Sequence, residues 1–215
     1  MTTSEDKAMK IMGDHCVSVS NAMAVFDGVW RSRCKDLTEI PFSVKKLEEK
    51  KETHILVPKI FSSIKHMAHV FHGQLPAGNY SFFAEKKWPL FFDLQARSLV
   101  SKLDSGWMLL GKGILPDSPY KSFKKQILLL KNGEQVPSVA ELAYCMALMY
   151  LVKGETIFLE NWAFTGSSVR GLDGEACWSA FLGPPISLVV FDKNDEQFEL
   201  KQFPKGLAYK EAAAL

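Results

Sequence analysis

Residues 118–154 read SPYKSFKKQILLLKNGEQVPSVAELAYCMALMYLVKG, and this stretch decides the fold class. Ser118-Pro119 is a helix-start signal, because a capping hydroxyl precedes a proline whose missing N–H costs nothing in the first turn. Tyr120, Phe123, Ile127 and Leu130 then line one side of a predicted helix that Asn132-Gly133 ends. Shortly after, Ser138-x-x-Glu141 forms a capping box: the hydroxyl accepts from the backbone of Glu141 while the carboxylate reaches back to the N–H of Ser138. A second helix is therefore predicted up to Val152, stopped by Gly154.

Outward from these helices the period changes. Segments 156–165, 176–182, 186–192 and 197–203 are apolar and aromatic with strand character, the last two joined by a turn at 193–195, and 106–110 is strand-like as well. Two helices backed by antiparallel sheet make an α+β chain. Upstream, 1–17 shows weak periodicity and predicts little order. From Ser18 or Ser20, Ala22, Val25, Phe26, Val29 and Trp30 share one face of a helix of about four turns. Segment 35–52 holds Pro41 and a charged run, which predicts a connection with one solvated helical turn and the best boundary candidate. Residues 54–57 predict a strand ended by Pro58, and 59–71 a helix before Gly73, followed by an aromatic stretch over 80–92. The organisation that follows is an N-terminal helical extension over 1–52, an α+β domain over 53–206, and a tail over 207–215, the end of the chain being a last helical turn or a non-native remnant.

Composition narrows the function. In 215 residues, 26 Lys and Arg against 24 Asp and Glu give a formal charge of +2, too weak a field to imply nucleic acid or an anionic membrane as partner. Cys16, Cys34, Cys145 and Cys177 lack C-x-x-C spacing and predict free thiols in a reducing compartment. The polar N-terminus lacks a secretory pattern, and the apolar run 139–152 is too short to span a bilayer, so a cytoplasmic location is expected, export without a cleaved signal remaining open.

Candidate chemistry is sparse. His66, His69 and His72 repeat every third residue, but on a helix the outer two diverge by about 120°, so a solvated face is expected and no metal. Gly111-Lys112-Gly113 lacks the phosphate-loop pattern and predicts a turn; the tip 192–196 lacks the glycine and distal glutamate of a calcium loop. No cofactor is expected. Segment 166–175, placed as a loop between Trp162 and Trp178, gathers Ser167, Ser168, Arg170, Asp173 and Glu175, residue types suited to recognition; in the alternative, both tryptophans belong to the core.

The ordered set Ser122-Phe123-Lys124-Lys125-Gln126, Gly133, Val136-Pro137-Ser138-x-x-Glu141-Leu142 and Asn161-Trp162-Ala163-Phe164-Thr165-Gly166-Ser167-Ser168 resembles the progression of prokaryotic C-type-lectin-like domains. Trp107-Met108-Leu109-Leu110, Pro116-x-Ser118, Gln135-Val136-Pro137-Ser138 and Gly154-Glu155-x-x-Phe158 are similar to a group of bacterial proteins whose C-terminal parts resemble retroelement-diversified variable proteins. The resemblance covers roughly 107–200 and implies two helices packed on a twisted antiparallel sheet, with a ligand surface at Ser167 to Glu175 and at 183–197. It does not carry calcium-dependent sugar binding, since the Glu-Pro-Asn and Trp-Asn-Asp motifs are absent, nor formylglycine-generating oxidase activity, since Cys177 stands without a second C-terminal cysteine. The asparagine-rich variable tail is also missing. The expected function is a non-enzymatic binding module for a protein or small-molecule ligand. Two alternatives stand beside it: an enzyme with Cys177 or Ser168 as nucleophile, and a phage-derived or structural oligomer.

Overall fold

The structure is a computed structural model that describes residues 2–25, 37–60, 105–119, 121, 123–155, 157, 162–170, 177–183, 187–192 and 205–213. In chain order the elements are β1 (Thr3–Ser4), α1 (Glu5–Met12), α2 (Val19–Val25), β2 (Glu39–Ile40), α3 (Val44–Lys50), β3 (His54–Lys59), β4 (Gly106–Gly111), α4 (Phe123–Ile127), β5 (Glu134–Gln135), α5 (Val139–Lys153), β6 (Trp162–Arg170), β7 (Cys177–Gly183), β8 (Ser187–Asp192), β9 (Lys205–Leu207) and β10 (Lys210–Glu211). The chain is α+β, with a small β1-β2 pair and two four-stranded sheets, ordered β3-β4-β10-β5 and β8-β7-β6-β9. Among the described strands the pairing is antiparallel except β6 with β9, which run parallel, and Cys16 adds an isolated parallel bridge to Leu56 of β3.

The capping box forms in full. Ser138 Oγ accepts from the Glu141 N–H at 3.2 Å and Glu141 Oε2 accepts from the Ser138 N–H at 3.0 Å, while Gly154 closes α5 in the left-handed region at φ 70°. Leu142, Ala143, Tyr144, Cys145, Met146, Ala147, Leu148 and Met149 are all buried, so α5 is apolar around its circumference and has neighbours on every side. It packs against α2 and against β6 and β7, and the Tyr144 hydroxyl donates to the Pro58 carbonyl on β3 at 2.5 Å. A buried tyrosine needs that acceptor, and the bond fixes the helix against the first sheet.

The N-terminal 17 residues depart from the expectation of little order. Ala8 and Met12 of α1 are fully or almost fully buried in the same core cluster as Ile55, Leu56, Leu109 and Met149. Distant partners order this segment: Thr3 Oγ1 donates to the Phe42 carbonyl at 2.6 Å, and Glu5 Oε1 accepts from the Val19 N–H at 2.7 Å, at the start of α2. Ser18 Oγ accepts from the Asn21 N–H at 3.1 Å, so Ser18 rather than Ser20 caps α2. Segment 37–50 is anchored to the core, with Leu37, Ile40, Phe42 and Leu47 buried in that cluster and Trp107 Nε1 donating to the Leu37 carbonyl at 3.0 Å, while Lys45, Glu48 and Glu49 of α3 are exposed.

Two proline signals resolve differently from their sequence reading. Pro58 lies inside β3, opposite Trp107, instead of ending it; β3 is the outermost strand of its sheet, where a missing N–H breaks no ladder bond. Ser118 does not cap a helix. It is fully buried, donates to the Leu115 carbonyl at 2.5 Å and accepts from the Leu207 N–H at 3.0 Å, tying its loop to β9, and α4 begins only at Phe123.

Residues 205–211 form two short strands rather than a helical turn. Lys205–Leu207 joins the second sheet beside β6, and Lys210–Glu211 enters the first sheet between β4 and β5, so residues 205–211 stitch the two sheets together. Leu207, Ala208, Tyr209 and Glu211 are buried. Backbone bonds seal the crossing: Leu115 N–H to Leu207 O at 2.7 Å, Gly111 N–H to Tyr209 O at 3.0 Å, and Ala212 N–H to Gly133 O at 2.6 Å. Lys59, the expected start of a helix, is the last residue of β3; the rest of that prediction from 61 to 71, the helix at 26–30, the aromatic stretch at 80–92, the 193–195 turn and the strand at 197–203 lie outside the described residues. Among the described residues no helix is long and apolar enough to cross a membrane.

Candidate functional site

Consecutive residues of a strand belong to opposite faces, and β10 consists of one lysine and one glutamate. Each meets a separate charge cluster. Glu211, with a side chain only 1 % exposed, faces α3, where Ser43 caps the helix and Lys46 and Lys50 stand one turn apart on one face. Lys46 Nζ lies 2.6 Å from Glu211 Oε2 and Lys50 Nζ 2.5 Å from Oε1, with Glu134 of β5 at 3.7 Å from Lys50. Burial pushes the Glu211 carboxyl up, but the two bonded ammoniums outweigh it and hold the group below its ordinary 4.5. Lys50 shows the reciprocal effect: burial lowers it, and Glu211 and Glu134 together carry it above 10.5.

His54, at the start of β3, borders this cluster. Its Nδ1 bonds the Thr53 hydroxyl at 2.8 Å, its Nε2 lies 3.7 Å from Glu211 Oε1 without a hydrogen-bond partner, and its ring meets Tyr209 edge-on at 5.2 Å between centroids. Burial, reinforced by Lys50, depresses the imidazole to about 4, so it is neutral near neutral pH. Gly111 makes the packing possible, because a Cβ there would meet the Tyr209 ring at 2.6 Å.

On the opposite face Lys210 Nζ lies 2.7 Å from both oxygens of Glu141, and Lys59 Nζ lies 3.2 Å from Oε1. Burial raises the Glu141 carboxyl; Lys210 first, then the Ser138 N–H and Lys59, bring it below 4.5. The capping carboxylate of α5 thus also anchors β10 and β3. The sequence exposes the capping role through its spacing, but the lysines lie 69 and 82 positions away and leave no local signal.

The lysines and glutamates of both clusters are engaged in ion pairs, and among the described residues they set no nucleophile beside a base. The two thiols described in detail are poor nucleophiles as well: burial pushes Cys16 up to about 12 and pushes Cys145 strongly upward. Among the described residues no group of three or more His, Cys, Asp or Glu side chains is arranged to hold a metal ion, and His66, His69 and His72 lie outside them.

The recognition residues expected from the sequence lie on the second sheet. Strand β6 carries Trp162, Ser167, Ser168 and Arg170, and β7 carries Trp178. The hairpin register pairs Ser168 with Ser179, Val169 with Trp178 and Arg170 with Cys177, so these positions share one end of the hairpin. Trp162 is at the other end of β6, paired with Lys205 of β9. Asp173 and Glu175 lie outside the described residues, in the connection between β6 and β7. That connection is shorter than the expected 166–175 loop, because a register shift between Phe164 and Ser168 lets the strand continue through Gly166 to Arg170. Of the histidines available to a Ser168 or Cys177 nucleophile, the described ones are His15, in the turn after α1, and His54, buried beside Glu211.

No protein-family model, no curated protein and no solved structure matches this chain.

Proposed function

We propose that the protein is a non-enzymatic binding module on a C-type-lectin-like scaffold, which takes a protein or small-molecule ligand at the Arg170–Cys177 end of the β6–β7 hairpin. The observation that carries this reading is the hairpin register, which brings Ser168, Arg170 and Trp178 to one end of a sheet backed by α5, with Ser168 and Arg170 at positions on one face and Trp178 at a position on the other. Arginine and tryptophan are each enriched where binding energy concentrates at interfaces, and a ligand that wraps the hairpin end would meet both. The lysines and glutamates of the first sheet are engaged with one another, which leaves the second sheet as the place where recognition chemistry is free to act.

The test is binding of wild type and an Arg170→Ala, Trp178→Ala double variant to glycan and peptide arrays. Truncating two interface anchors is expected to weaken any captured ligand by about tenfold or more. Equal binding by both proteins refutes the assignment of this surface. Labelling of native protein by a serine- or thiol-directed activity probe at Ser168 or Cys177 would favour an enzyme instead.

A further inference from the structure

Strand β10 is held in the first sheet by little main-chain pairing. Its register comprises Lys210 against Leu110 and Gln135, and Glu211 against Glu134, extended by the Ala212 N–H to Gly133 carbonyl bond. Its retention therefore leans on its side chains, Lys210 on Glu141 on one face and Glu211 in the charge cluster with Lys46 and Lys50 on the other. With His54 neutral those charges balance, Lys46 and Lys50 against Glu134 and Glu211. A proton on His54 would add an unmatched positive charge to a side chain only 1 % exposed. Every element packed around the ring contributes: Lys46 and Lys50 from α3, Thr53 beside it, Lys112 from the turn after β4, Glu134 from β5, and Tyr209 and Glu211 from the chain end. Glu211, whose Oε1 lies 3.7 Å from Nε2, is already bonded to two ammoniums.

We propose that His54 makes the C-terminal segment an acid-released latch. Protonation of its imidazole is incompatible with the closed cluster and opens residues 205–213 away from β4 and β5, while α5 and the core around it stay folded. Because the same segment pairs with β6 through Lys205–Leu207, opening also unpairs the edge of β6 from Trp162 to Phe164, and acid couples the charge cluster to the second sheet. Glu211 and Glu141 are both held below 4.5, so at about pH 5 the carboxylates remain ionised.

The direction follows from linkage. A solvated imidazole in the open form protonates near 6.5 and the buried one near about 4, so the open form gains protons first as pH falls and the closed form loses stability across that interval. At about pH 5 this corresponds to about a 30-fold shift toward the open form relative to neutral pH.

Backbone amide exchange of the full chain at about pH 7.5 and about pH 5, corrected for intrinsic rates, reads this directly. The amides of Gly111, Leu115, Leu207 and Ala212, which bond across the segment, are expected to lose about 30-fold in protection, with Met146 and Met149 of α5 unchanged. His54→Gln, which cannot take up the proton, is expected to keep full protection at the lower pH. Equal loss at α5, or the same loss in His54→Gln, overturns the latch. An NMR titration of the His54 ring in the wild type supplies an independent decision: titration near about 4 supports the latch, and titration of the closed protein near 6.5 overturns it.

Discussion

Glu211→Gln removes one charge and almost no volume, which makes it a clean probe of the cluster that fixes the chain end. The carboxylate is 1 % exposed and meets Lys46 and Lys50 at 2.6 and 2.5 Å, so the amide leaves two ammoniums without their partner. Breaking a buried pair from one side costs about 3–5 kcal/mol when the remaining charge stays buried. Here the lysine side chains are 33 % and 21 % exposed and can turn toward water, which brings the expected cost down to about 2–3 kcal/mol. For a chain of this length that loss lowers the melting temperature by about 4–12 °C. Urea unfolding followed by tryptophan fluorescence measures it, with an unchanged dependence on urea showing that the unfolded state is not altered. A loss under about 0.5 kcal/mol, the range of ordinary surface substitutions, would refute the claim that Glu211 is a buried anchor.

Further outcomes follow from the same geometry. Gly206→Ala is expected to destabilise by about 1–3 kcal/mol, because its Cβ would press into the Ile114 side chain; Gly113→Ala, with open space around it, is expected to be neutral in the same denaturation assay. Cys16 and Cys145 are expected to resist iodoacetamide in the native protein and to react fully in denaturant, as followed by peptide mass spectrometry, since burial keeps both thiols protonated. Glu141 contributes stability that is present above its unfolded value of 4.5 and is lost as pH falls through its lower folded value. Acid unfolding of Glu141→Gln is therefore expected to be less steep below 4.5 than that of wild type.

Local signals in the sequence found local structure. The Ser138-x-x-Glu141 box and Gly154 delimit α5, the apolar run at 106–110 becomes β4, and the aromatic segments become the β6–β7–β8 meander. What escaped depends on partners distant in the chain. Weak periodicity in α1 hid a packed helix, because its order comes from Thr3 bonding to Phe42 and Glu5 bonding at the start of α2. Ser118 looks like a cap because Pro119 follows it, yet its acceptor role is taken by Leu207, 89 positions on. The expected tail over 207–215 carries a Lys-Glu pair with no local partner in sequence; in the structure Lys210 meets Glu141 of α5 and Glu211 meets Lys46 and Lys50 of α3 beside His54 of β3. The residues expected to recognise a ligand stood out by type, and only the register shows where they fall: Arg170 and Trp178 near one hairpin end on opposite faces, Trp162 at the other end.

The account centres on the C-terminal segment as a strand that closes both sheets, with its two charges facing two clusters. Nuclear Overhauser contacts of β10 at neutral pH test this most directly. The account predicts cross-strand backbone contacts from Lys210 to both Leu110 and Gln135, and from Glu211 to Glu134. Random-coil shifts for residues 205–213 without those contacts would contradict it.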